Sequence, residues 1–201
     1  SLTAPQIADW AGAGLDLAEK TVRSWESAAQ YFKVSPAVLG YMPLNYFFKW
    51  TDCGLALCAE SPTLATAFFE ASPGTMSKLR SRHIESWSGL GRGLYKGTWK
   101  SSTLACKFFQ SSPALLEHLS FPELERFASF LDSLSHRSYD LASECLTLGQ
   151  EIFPLIGEDR AAFISLATTL VETGWREVKS FFEAGSRALP RVESGQRLRF
   201  L

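Results

Sequence analysis

An aromatic residue, a mostly small residue four positions on and a leucine three beyond that recur five times along the chain, and this recurrence restricts the fold to a stack of similar units. The instances are Trp10-Gly14-Leu17, Trp50-Gly54-Leu57, Trp87-Gly91-Leu94, Phe127-Leu131-Leu134 and Phe163-Ala167-Leu170, with starts 40, 37, 40 and 36 residues apart. A second phrase follows several of them: Tyr31-Phe32 before Ser35-Pro36, Phe68-Phe69 before Ser72-Pro73, Phe108-Phe109 before Ser112-Pro113, and a weaker echo at Phe181-Phe182 with Gly185. Self-similarity at such a period marks an array of helical units, each too small to bury its apolar face alone.

Strand patterns are nearly absent, whereas apolar residues at three- and four-residue steps run through 44–57, 121–134 and 161–171. The 201-residue chain is therefore expected to be all-α. The specific expectation is a right-handed α-α superhelix, or solenoid, of about five HEAT- or armadillo-like repeats of roughly 36–40 residues. Unit boundaries are drawn near 3–42, 43–80, 81–120, 121–157 and 158–194 inside a single domain, 1–201.

Serine at an N-cap accepts from an orphan backbone N–H, and proline suits the first helical position. Ser35-Pro36, Ser61-Pro62, Ser72-Pro73 and Ser112-Pro113 thus read as helix starts, which makes each full unit two longer helices and a short one. The fourth unit diverges: it lacks Ser-Pro, has Leu131 at the small position, and should end its second helix near Glu151 to Phe153, before Pro154.

Glycine within a helix costs about 1 kcal/mol relative to alanine. Gly14, Gly54 and Gly91, all one turn after a tryptophan, imply an offsetting close approach of a neighbouring helix. The structural set is Trp10, Gly14, Leu17, Trp50, Gly54, Leu57, Trp87, Gly91, Leu94, Phe127, Leu134, Phe163, Ala167 and Leu170. Trp25, Trp99 and Trp175 lie outside the phrase and are the aromatic candidates for a binding surface.

Net charge is −1 and the pI is near 6.3, so no global field would gather nucleic acid or an anionic membrane. Basic clusters at Lys78, Arg80 and Arg82, and at Arg187, Arg191, Arg197 and Arg199, read as solvated helix faces; Lys20, Lys49, Lys96 and Arg137 keep no constant phase. Charged residues are only 20%, which fits a domain with an apolar surface covered by a partner. Cys53, Cys58, Cys106 and Cys145, with His83, His118 and His136, are too scattered for a metal site, and reduced cysteines fit a cytoplasmic protein. No run reaches the ~18 apolar residues of a membrane span. The missing initiator methionine and the apolar ending at Leu201 point to a piece of a longer protein.

No chemistry emerges. Gly89-Leu90-Gly91-Arg92-Gly93 has no preceding strand and no following Lys-Ser or Lys-Thr, so it is no phosphate loop. There is no Gly-x-Ser-x-Gly elbow, and no histidine sits in a pattern that makes a triad plausible. The expectation is a chain without catalytic residues, cofactor or metal, and so not an enzyme.

Phe68-Phe69-Glu70-Ala71-Ser72-Pro73 and the stretch from Phe181-Phe182-Glu183-Ala184-Gly185 to Pro190-Arg191-Val192, set within the repeat phrases, give the chain a texture. That texture resembles the helical region beside von Willebrand factor A domains in bacterial proteins of the NorD- and CoxE-type family, which are linked to nitric oxide reductase activation. The resemblance implies an accessory helical array that holds a MoxR-type AAA+ ATPase or a client metalloenzyme. The family's metal-binding adhesion domain lies outside this sequence, so no metal ligand is carried over. A protein–protein interaction scaffold is the leading expectation. A small-molecule or lipid binder with an aromatic-lined pocket is the alternative, and a nucleic-acid-binding repeat comes third.

Overall fold

The computed structural model describes residues 2–21 and 23–188. The end of the resemblance phrase (Pro190, Arg191, Val192), the cations Arg191, Arg197 and Arg199, the apolar terminus and the boundary at 194 lie outside the described residues. Those described form an all-helical structure, with no strand among them. Two compact units divide the chain, Ser1–Arg92 and Gly93–Leu201. The first holds α1 (Ala4–Glu19), α2 (Trp25–Leu39), α3 (Leu44–Glu60), α4 (Pro62–Met76) and most of α5 (Ile84–Leu94). The second holds α6 (Trp99–Leu115), α7 (Phe121–Ser135), α8 (Tyr139–Ile156), α9 (Arg160–Gly174) and α10 (Val178–Ala188).

Every aromatic-small-leucine phrase lies on an odd-numbered helix, and the paired aromatics lie on even-numbered ones. In the first unit, Phe32 of α2 and Phe69 of α4 press their ring ends onto Gly14 of α1 and Gly54 of α3, and a Cβ at either glycine would fall inside the ring's envelope. Each glycine is thus the floor of an aromatic seat. Around it the core is built ring on ring: Tyr31 stacks on Trp50 at 5.4 Å, Trp50 meets Phe69 edge-on at 5.1 Å, and Phe68 lies 4.8 Å from Trp87. All five of these rings are fully buried.

The second unit reverses the arrangement. Leu131 fills the small position on α7, and the glycine appears instead on α8, where a Cβ at Gly149 would meet Phe127 Cζ at 2.8 Å. The ring now comes from the odd helix and the gap from the even one. Phe127 also meets Phe153 edge-on at 4.9 Å, and Phe163 stacks on Phe181 at 4.6 Å.

Ser61-Pro62 does start a helix, with Pro62 as the first residue of α4. The other three Ser-Pro pairs do not: Pro36, Pro73 and Pro113 lie inside the last turns of α2, α4 and α6. Each proline costs its helix one backbone bond, that to the carbonyl four residues back, and less than a turn of helix remains beyond it to be displaced. The serine before it turns inward and donates to the carbonyl four residues back: Ser35 to Tyr31 at 2.5 Å, Ser72 to Phe68 at 2.7 Å and Ser112 to Phe108 at 2.8 Å. The third short helix expected in each unit is therefore the end of the second helix. Likewise α8 runs past Pro154 to Ile156, where Gly157 at φ +69° breaks it and Arg160 Nε caps the Phe153 carbonyl at 3.1 Å.

Polar ties join helices two apart in the chain, and their sequence separations match the period of the phrases. Ser27 bonds the Pro62 carbonyl and Thr66 across separations of 35 and 39 residues, and Lys49 pairs with Glu85 across 36. In the second unit Lys100 reaches Asp140 across 40, Lys107 reaches Ser143 across 36, and Gln150 reaches Ser111 across 39. These contacts set α2 alongside α4, and α6 alongside α8, in parallel.

Candidate functional site

The repeat residues are structural in their surroundings. Trp50, Trp87, Leu17, Leu57, Phe127, Leu134, Phe163 and Ala167 have no exposed surface, Leu94 has 1%, Gly14, Gly54 and Gly91 are buried, and Trp10 and Leu170 are half-buried. Trp50 also uses its polar edge, donating from Nε1 to Ser72 Oγ at 2.7 Å.

The three tryptophans outside the phrase differ. Trp99 is 74% exposed and Trp25 61%, whereas Trp175 is half-buried. Trp25 opens α2 in the first unit. Trp99 opens α6 in the second unit, and Trp175 begins the 3-10 turn that leads into α10. Tyr139 stands at the first position of α8. Since α8 packs against both α6 and α10 with their starts at the same end, the second unit brings Trp99, Tyr139 and Trp175 to one edge.

Local chemistry holds this edge firmly. Gly97 adopts φ +75°, a backbone state that L side chains rarely enter, and so turns the chain into α6. Ser101, fully buried, accepts from the Lys96 and Thr98 backbone N–H groups at 3.0 and 3.1 Å, while Thr98 Oγ1 accepts from the Ser101 N–H. Beside this bonded turn, the Trp99 side chain projects outward. Lys100 lies 5.7 Å from its ring centroid and pairs with Asp140 at 2.7 Å. Arg176 similarly covers Trp175 at 5.0 Å.

Inward from this edge an open groove of about 310 Å³ runs along α6, α8 and α10, lined by Lys107, Ser143, Glu144, Thr147, Lys179 and Glu183 among others. Lys179 bridges Glu144 at 2.9 Å, and the carboxylate beside it holds the lysine above its ordinary pKa. A larger groove of about 620 Å³ lies between α7 and α9, where Ser129, Thr168 and Thr169 donate to carbonyls of their own helices.

Among the described residues no cluster of three His, Cys, Asp or Glu could hold a metal ion. All four cysteines are free thiols, and burial pushes each above the ordinary thiol pKa, Cys145 to about 12. Such thiols are poor nucleophiles. Lys78, Arg80 and Arg82 prove to occupy the connection between α4 and α5 rather than a helix face. No helix among the described residues is long and apolar enough to cross a membrane.

Tyr139, Lys107, Ser143, Glu144, Lys179 and Glu183 were not singled out from sequence. The available signal was complementary polar partners one period apart, such as Lys100 with Asp140 and Lys107 with Ser143. Comparison with protein families, with curated proteins and with solved structures finds no match to this chain.

Proposed function

We propose that this protein is a non-enzymatic protein–protein interaction scaffold whose second unit binds a partner along the α6–α8–α10 face. One observation carries the reading: Trp99 is 74% exposed at the start of α6, beside a turn pinned by Ser101, and α6 also carries Lys107 into an open groove. Exposing an indole forgoes roughly 1.5–3 kcal/mol of burial, and a rigid, partly exposed tryptophan is a characteristic binding anchor.

The helix pairs are proposed to stack as a right-handed superhelix of five HEAT- or armadillo-like repeats. Support lies within each unit, where polar ties recur at the phrase period. Such arrays present extended surfaces to protein ligands. Within this proposal the resemblance to NorD- and CoxE-type proteins makes a MoxR-type AAA+ ATPase or a client metalloenzyme in the cytoplasm the first partner to test. The core rings pack against one another, so an aromatic-lined pocket for a small molecule or lipid gains no support from them.

The test compares affinity capture by the wild-type chain and by a Trp99→Ala, Trp175→Ala variant, from extracts of the source cells and from purified AAA+ ATPase. Proteins retained by the wild type and lost from the variant are expected. Identical capture by both would exclude this face, and a small molecule that co-purifies in native mass spectrometry would favour the alternative.

A further inference from the structure

The groove carries an uneven charge account. Glu144 is bridged by Lys179 at 2.9 Å, and Glu183 faces Lys179 at 4.0 Å and Arg187 at 3.7 Å. Lys107 differs from these cations, because the partner of its ammonium is the neutral hydroxyl of Ser143 at 2.7 Å. Among the lining residues two lysines stand against two carboxylates, but both carboxylates face Lys179, so Lys107 is the lysine whose partner is neutral. On α6 the exposed positions Trp99, Thr103 and Lys107 follow at four-residue steps and form one stripe.

From these facts we infer that the α6–α8–α10 groove takes an extended, acidic segment of a partner protein, with one carboxylate on Lys107 and one apolar side chain against Trp99. This rests on the scaffold reading and specifies its ligand. Eight helical residues separate the two anchors by about 12 Å. An extended chain covers that distance in about four residues at ~3.3 Å each, so the carboxylate and the apolar side chain should be about four positions apart. Between the anchors, the Thr103 hydroxyl donates to its own helix and keeps a lone pair for a peptide N–H group. A phosphate backbone fits less well, because a single uncompensated lysine offers one contact and Glu144, Glu183 and Asp140 repel the remaining phosphates.

The probe is a set of fluorescein-labelled ten-residue peptides in a Gly-Ser background, each with one Phe and one Asp at separations from one to seven, read by fluorescence polarisation against the full chain. Binding should be tightest near a separation of four, and the Asp peptide should bind about threefold more tightly than its Asn counterpart, as a half-exposed ion pair allows. Lys107→Gln should abolish that preference, and Lys107→Glu should transfer it to the Lys counterpart. Lys33→Glu in the first unit should change nothing. Equal binding of Asp and Asn peptides, indifference to spacing, an unaltered preference in Lys107→Glu, no peptide binding at all, or equally tight binding of a single-stranded oligonucleotide would each overturn the inference. The scaffold reading is judged separately: partner capture that depends on Trp99 would stand even where the charge preference is absent, and loss of both would remove both.

Discussion

Gly54→Ala isolates the physical reason for a glycine in the middle of a helix. The new Cβ would fall within the ring of Phe69, which has no exposed surface and is walled in by Tyr31, Trp50 and Phe68 at 5.5, 5.1 and 5.5 Å. A ring so confined cannot swing aside, so the helices must separate or a rotamer must strain, at about 1–3 kcal/mol. Alanine returns up to about 1 kcal/mol of helix propensity, which leaves a net loss of about 0–2 kcal/mol. Gly89→Ala, on α5 of the same unit, has nothing within 4 Å of its new Cβ and should gain the propensity term alone. The difference between the two variants cancels propensity and should be about 1–3 kcal/mol in the urea midpoint at constant m. Gly93→Ala, likewise open, should follow Gly89→Ala, and Gly54→Leu should be worse than Gly54→Ala. Adding Phe69→Leu should recover part of the Gly54→Ala loss, a coupling of about 1 kcal/mol in a double-mutant cycle. Gly54→Ala and Gly89→Ala variants of equal stability, or zero coupling, would refute the aromatic seat.

Ser72→Ala should cost more than Trp50→Phe in the hydrogen-bond contribution, because it strands the fully buried Trp50 N–H at about 1–3 kcal/mol, whereas Trp50→Phe leaves Ser72 bonded to the Phe68 carbonyl; thermal melts of both variants check the order. Burial raises the Tyr31 hydroxyl and the Cys145 thiol to about 12, so folding favours their neutral forms. Their contribution is complete below about pH 9 and is lost as pH climbs towards 12, since the unfolded chain then binds fewer protons, with a slope of up to ~1.4 kcal/mol per pH unit for each group. Urea midpoints at pH 8 and pH 10.5 should show the fall, and Cys145→Ala should flatten it. Glu144→Gln, which breaks a solvent-exposed bridge to Lys179, should shift stability by less than about 1 kcal/mol in the same assay.

What could be read before the structure followed from geometry that a helix repeats faithfully. A phrase spaced by four and three residues keeps one face, so Trp50, Gly54 and Leu57 fall together whatever their neighbours do. The all-helical class and the core role of those positions needed nothing more. Ser-Pro was different, because one dipeptide serves two ends of a helix. At Ser61-Pro62 the serine precedes the first turn, and at Ser72-Pro73 it bonds back to Phe68 within the last. Only the position of the aromatics four residues earlier separates the cases: a serine that follows Phe68 by one turn is already inside the helix that carries it.

The fourth phrase shows why the texture alone could not settle packing. Leu131 looks like a lapse from the small-residue rule, yet the close approach survives through Gly149 on the opposite helix, which admits Phe127. What recurs in the α1–α2, α3–α4 and α7–α8 pairs is therefore a volume constraint, one ring and one gap, and either helix can supply either part. Sequence periodicity tracks residues at fixed positions and misses an exchange of that kind. The same logic bears on the exposure of Trp99. Trp99 lies off the phrase: it follows a glycine turn and precedes a buried serine whose hydroxyl bonds back to that turn. The proposed scaffold function gives this exposed aromatic its complement on another molecule.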